Sequence, residues 1–217
     1  MAIAVLQITL KVPTTLNDER LAQAAIELAR QDEDLARLLK DHGTPPLWGR
    51  QPGFATLVRI ILEQQVSLAS ADAMYRRLTS AIPAITAQSI IEAGALHLRS
   101  FGVTRQKAAY FINVAEAIQS GELDLESLAK ETDELAIEKL VAVKGVGPWT
   151  AKIYLLMVLG RPDVWPVGDV ALATAVQNLR GWQKRPTQPE LSEIAQAWRP
   201  HRATAARMLW HYYLSGM

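Results

Sequence analysis

The chain has 217 residues, of which 49% are hydrophobic, 21% charged and 6% aromatic, with a formal net charge of +1 and no cysteine. That apolar content excludes a disordered or fibrous chain, and the missing thiols exclude disulfide frameworks, Cys-ligated zinc, iron–sulfur clusters and a cysteine nucleophile. The near-neutral balance excludes a basic surface overall, so any anion-binding region is local, and residues 161–217, with seven basic and four acidic side chains, are its expected place.

The apolar periodicity predicts an all-α protein. Ile3–Val12 is the one alternating stretch and reads as a short N-terminal strand. Asn17 to Arg30 places Leu21, Ala24, Ala25 and Leu28 at helical spacing, and Phe54 to Leu62 opens a second helix that meets Glu63-Gln64-Gln65. Ser67 caps a third helix to about Thr79, and Thr104 a fourth that stops at Gly121. Thr132 opens the next, ending near Val143, and Pro148 stands where a first-turn proline starts a helix to about Leu159. Asp169 opens a helix to about Leu179, Thr187 and Glu190 form a capping box for one to Trp198, and Arg202–Leu214 is the last. His42–Pro52 and Gly160–Gly168 are rich in Gly and Pro and break helices. They divide the chain into a central helical domain, 46–160, and a second formed by 1–45 with 161–217. The expected architecture is a two-lobed helical bundle with a cleft between the lobes, the usual place for a site.

The most informative stretch joins two helices through Lys144-Gly145-Val146-Gly147. Glycines flanking one apolar residue allow a tight reversal with positive φ. Such a turn presents backbone N–H groups at the start of the Pro148 helix, an anion site suited to a phosphate. A plain helix–turn–helix corner is the alternative. Twenty-two positions beyond Gly147, after a Gly/Pro loop, Asp169 stands at a helix start. A helix N-cap is the ordinary role of such an aspartate.

Four stretches occur in one order: ILEQQVS at 61–67, GVGPWTAK at 145–152, PVGDVAL at 166–172 and WRPHRATAARMLW at 198–210. Together they resemble the helix-hairpin-helix, Gly/Pro-rich loop, Asp superfamily of DNA glycosylases, and within it the AlkA-like 3-methyladenine DNA glycosylase II group. The resemblance implies a monofunctional enzyme that flips alkylated purines of the 3-methyladenine and 7-methylguanine type out of double-stranded DNA. It would hydrolyse their N-glycosidic bond in base-excision repair. A non-catalytic helix-hairpin-helix DNA-binding module remains the alternative. So does a glycosylase for ethenoadenine, hypoxanthine or an oxidised purine.

By the same resemblance, Asp169 is the catalytic carboxylate, with Asp163 a weaker rival in the same loop. Trp149 stands where the strand-nicking branch carries a Schiff-base lysine, which argues for hydrolysis alone. Trp149 and Trp210 match pocket tryptophans that stack on the extruded base, and Trp48 is a further candidate wall; Trp165, Trp182 and Trp198 are assigned to core packing. The family's pocket tyrosine falls on Ile153, beside Tyr154. Gln65, with Gln64, matches the wedge that enters the minor groove, and Glu63 needs a partner so near to phosphates. Lys144, Gly145, Val146 and Gly147 form the phosphate-binding hairpin. The main-chain carbonyls of Val141, Val143 and Val146 match a site for Na+ or K+, with no other cofactor expected. Arg105, Lys107, Arg199 and Arg202 read as phosphate contacts or a solvated face. The expected state is a monomer, without membrane partners. The opening MAIAVLQITLKVP lacks a basic n-region, so no leader is expected and the location is cytoplasmic, with the nucleoid in a bacterium.

Overall fold

The computed structural model describes residues 14–216, so the candidate strand Ile3–Val12 lies outside it. Eleven α-helices and two short 3-10 turns make up the regular structure of the described residues, with no strand among them. No described helix is long and apolar enough to cross a membrane.

The first helix, α1 (Asp18–Gln31), starts where expected, because Asn17 accepts the Arg20 N–H at 2.8 Å. A second, α2 (Glu33–His42), follows without a loop and was not predicted from the periodicity. Asp32 explains both facts: its N–H donates to Leu28 O and its carboxylate accepts the Leu35 N–H, so one residue ends α1 and caps α2. After the first linker come α3 (Phe54–Glu63) and α4 (Leu68–Ala81), the latter capped by Ser67. The sequence reading also passes over α5 (Ala87–Ser100), which begins with reciprocal Thr86–Ser89 bonds and is broken at Gly94, φ 66°. That kink scatters the apolar spacing on which helix prediction depends. Then follow α6 (Arg105–Gln119), α7 (Asp133–Ala142) and α8 (Pro148–Met157). Beyond the second linker lie α9 (Val170–Leu179), α10 (Gln188–Ile194) and α11 (Arg202–Leu214). The predicted helix to Trp198 is α10 completed by a 3-10 turn, Ala195–Trp198.

The helices pack in two sets. In one, α3 lies against α4, α6 and α8, α5 against α6, and α7 against α8. In the other, α11 lies against α1, α2 and α9. A continuous apolar core runs through both. Helix α8 is its centre, with Thr150, Ala151, Ile153, Tyr154, Leu155 and Leu156 all buried. Tyr154 turns its hydroxyl to the Gly53 N–H at the start of α3, and burial pushes that phenol's pKa up.

The sets are tied by buried arginines. Arg207 of α11 is fully buried and donates to Leu47 O (2.8 Å), Leu156 O (2.7 Å) and Ala203 O (3.0 Å). It joins the first linker, the end of α8 and its own helix. Burial among carbonyls pushes its pKa down to about 10. Arg161, also buried, donates to the carbonyls of Leu128, Ala129 and Glu131 ahead of α7.

Candidate active site

The site grows from the start of α9. Gly168 takes φ 94°, and its N–H donates to Gln188 Oε1 at 2.6 Å, which sets the approach of the chain. Asp169 follows as N-cap, its Oδ1 accepting the Leu172 N–H at 3.0 Å. The same carboxylate accepts two indole N–H groups. Trp149, from the first turn of α8, donates to Oδ2 at 3.1 Å, and Trp210, from α11, donates to Oδ1 at 3.3 Å. Both oxygens are thereby fixed, and the rings flank the carboxylate from two sides. Asp169 and Trp210 are 8% exposed while Trp149 is half-buried, so Trp149 carries the more open ring. Members of both helix sets meet at this point. Trp48 takes φ 48° in the first linker, and its ring stands edge-on to His211, the neighbour of Trp210, with centroids 6.2 Å apart.

The hairpin between α7 and α8 has the shape expected at one glycine only. Gly145 takes φ 111°, and a Cβ there would lie 2.5 Å from Tyr110 Cβ of α6. Gly147, expected to share the positive φ, is extended at φ −83°, and a Cβ there would meet nothing within 4 Å. The tight reversal rests on Gly145, with Val146 buried behind it. No described side chain caps α8, Pro148 has no N–H, and Lys144 at the start of the turn is exposed. The carbonyl of Val143 accepts the Val146 N–H at 3.0 Å, and Val141 lies in the last turn of α7, where carbonyls lack intrahelical donors. Main-chain oxygens of this kind suit a hard monovalent cation. No acidic or histidine cluster fit for a metal occurs among the described residues.

The structure separates the two glutamines expected to act together. Gln64 is committed inward: its amide donates to Gly145 O at 3.1 Å and Thr150 Oγ1 at 2.8 Å, clamping the α3–α4 corner to the hairpin. Gln65 is exposed at φ 57°, in the left-handed region that non-glycine residues rarely adopt. Glu63 has the partner it needs, a two-pronged pair with Arg50 at 2.9 Å on both oxygens.

The rival carboxylate and the expected phosphate contacts account for one another. Asp163 is held by Arg202 at 2.9 and 3.0 Å and by Arg199 at 3.1 Å. Both arginines, at the end of the 3-10 turn and the start of α11, are ion-pair partners of the loop carboxylate. Trp182 corrects a second expectation: it is 41% exposed under the Arg180 guanidinium. Trp165 and Trp198 do pack together, with centroids 5.5 Å apart.

Residues 58–200 match the family model of the HhH-GPD superfamily base excision DNA repair proteins. The chain belongs to this family. A Bacillus subtilis protein carrying a provisional DNA-3-methyladenine glycosylase name is 26% identical over 184 residues, 81% of this chain and 64% of its own length. A Bacillus subtilis DNA-3-methyladenine glycosylase is 34% identical over 113 residues, 52% of this chain and 37% of its own. The chain thus spans less than two thirds of either relative. The solved 3-methyladenine DNA glycosylase of Schizosaccharomyces pombe, in complex with abasic DNA, superposes with a TM-score of 0.79 and 26% identity. That match covers 89% of this chain and 96% of that one.

In this HhH-GPD protein the sequence reading missed Lys107. It was expected on a surface, yet it is 7% exposed and donates to Leu62 O and Gln64 O. The only signal in the sequence was its place on the apolar face of α6, next to Ala108 and four residues before Phe111. Ile153, at the family's tyrosine position, is buried in the core.

Proposed function

We propose that this HhH-GPD protein is a monofunctional DNA glycosylase that hydrolyses the N-glycosidic bond of alkylated purines in base-excision repair. The observation that carries the reading is Asp169, a carboxylate with both oxygens gripped by the Trp149 and Trp210 indole N–H groups where the two helix sets meet. Relatives named as 3-methyladenine glycosylases support the substrate class.

The mechanism follows from the parts. Hairpin N–H groups beside Lys144 grip a phosphate of double-stranded DNA. The carbonyls of Val141, Val143 and Val146 would hold a monovalent cation, which would add positive charge there. Gln65 enters the space left by the extruded nucleotide. Bond breaking builds positive charge on the sugar, as in other oxocarbenium-like transfers. A fixed carboxylate against that sugar stabilises the charge without reorganising, and it directs a water to the same carbon. A purine methylated at N3 or N7 is already cationic, so it leaves without a strong general acid. An open indole face attracts such a cation by roughly 0.5–2 kcal/mol. Position 149 offers no amine, so the product is an abasic site. The enzyme acts as a monomer on DNA in the cytoplasm, on the nucleoid of a bacterium.

The test is release of 3-methyladenine and 7-methylguanine from alkylated duplex DNA, with mass detection of the free bases. Wild type is expected to release them and Asp169→Asn is not. Affinity for DNA without release of any base from a lesion panel would overturn the reading.

A further inference from the structure

We infer that Lys107 is a positioning residue for base extrusion, its ammonium holding the α3–α4 corner in the shape that presents Gln65 to the duplex. The inference rests on the glycosylase reading.

Lys107 lies in the first turn of α6, and its Nζ reaches two carbonyls, Leu62 O at 2.7 Å and Gln64 O at 2.8 Å. Helix α3 ends at Glu63, so these oxygens belong to its last turn and the residue just past it, where no intrahelical donor remains. A cation there also meets the negative end of the helix dipole. No carboxylate pairs with Lys107 among the described residues. An ammonium buried without a counter-ion is expensive, and burial accordingly pushes its pKa down. An apolar side chain would fill the same space at less cost, so the charge answers to the carbonyls.

The residue that follows those carbonyls is the strained one. A non-glycine residue in the left-handed region is strained and persists only when its surroundings over-determine it. Here the surroundings are explicit. Gln64 is pinned by its carbonyl to Lys107 and by its amide to Gly145 and Thr150. On the far side, Ser67 is pinned as the cap of α4, accepting the Ser70 N–H at 3.2 Å. Gln65 and Val66 bridge two fixed points and stand exposed. Extruding a nucleotide costs the free energy of unstacking and unpairing it. A corner pressed against that load has to be stiff, and releasing its inner anchor lets Gln65 relax out of the left-handed region.

The experiment compares wild type, Lys107→Met and Lys107→Arg on one alkylated purine in two duplexes. In one it is fully paired; in the other it stands opposite an abasic site, so that no partner base resists extrusion. A 2-aminopurine beside the lesion reports extrusion by fluorescence. We expect Lys107→Met to slow excision from the paired duplex roughly ten-fold or more. It should lose the fluorescence rise, keep near-wild-type excision opposite the abasic site, and add nothing to Gln65→Ala in the double variant. Lys107→Arg, which still donates to carbonyls, is expected to recover most of the rate. Equal slowing on both duplexes, no slowing on either, or losses that multiply with Gln65→Ala would each overturn the inference. If Lys107→Met does not fold, Lys107→Gln keeps one shorter donor and carries the same comparison. If wild type excises nothing, the glycosylase reading fails, and the fluorescence comparison still decides the role of Lys107.

Discussion

The indole N–H of Trp149 lies 3.1 Å from Asp169 Oδ2, across 20 residues of sequence, and so joins the helix that follows the hairpin to the carboxylate that follows the loop. A tryptophan at this position does more than offer a face to a base. Trp149→Phe keeps an aromatic ring and removes the donor. Hydrogen bonds to charged groups are worth about 1.5–3 kcal/mol, so single-turnover excision should slow roughly ten- to hundred-fold. DNA affinity, measured separately, should hold. Unchanged excision would reduce the indole to a packing group.

Asp169→Asn separates the two roles of the aspartate. Asparagine is as good an N-cap, so α9 keeps its start. Its amide nitrogen, however, would face one of two indole N–H donors, donor against donor. A cost of about 1 kcal/mol, or a few degrees of melting temperature, is expected. Base release should fall by about two to four orders of magnitude. Calorimetry beside the release assay checks both halves, and a variant as active as wild type removes the catalytic role.

The hairpin glycines are not equivalent. Gly145→Ala places a Cβ 2.5 Å from Tyr110 Cβ and forces alanine to φ 111°. It should weaken DNA binding sharply and lower the melting temperature. Gly147→Ala meets open space at an ordinary φ, and its fold should survive. Equal melting temperatures for the two variants would show that the contact with Tyr110 is relieved at no cost.

Borohydride offers the cleanest check on the reaction type. With tryptophan at 149, no enzyme–DNA adduct should be trapped during turnover on alkylated duplex, and the strand should stay intact until the abasic site is cleaved by alkali. Lys152 sits in the same helix, where burial pushes its pKa down before the nearby Arg202 does. Trapping abolished by Lys152→Ala would overturn hydrolysis and name the nucleophile.

Six helix starts could be read from the sequence because each cap and its partner are three residues apart beside an unbroken apolar pattern. Asn17, Ser67, Thr104, Thr132, Asp169 and Thr187 each accept a backbone N–H at that separation. The helices that escaped, α2 and α5, are those whose periodicity is hidden by a shared cap residue or by a kink. In the site, the order of hairpin, loop and aspartate was visible as a pattern, and so was the tryptophan in place of lysine. The inward turn of Gln64, the burial of Lys107 and the capture of Arg199 and Arg202 by Asp163 were not.

What the chain alone determined is therefore local: where helices begin, where the backbone reverses, which residue types follow the hairpin, and that no thiol chemistry is available. Only the tertiary structure decided which side chains meet. Lys107 finds its acceptor 45 residues away, Gln64 finds Gly145 81 residues away, and Arg207 finds Leu47 160 residues away. The physical reason is one of range. A cap or turn depends on atoms within one helical turn, whereas a buried cation or amide takes whatever carbonyl the packing of distant helices leaves open. Those pairings fix how Asp169 and Gln65 are held.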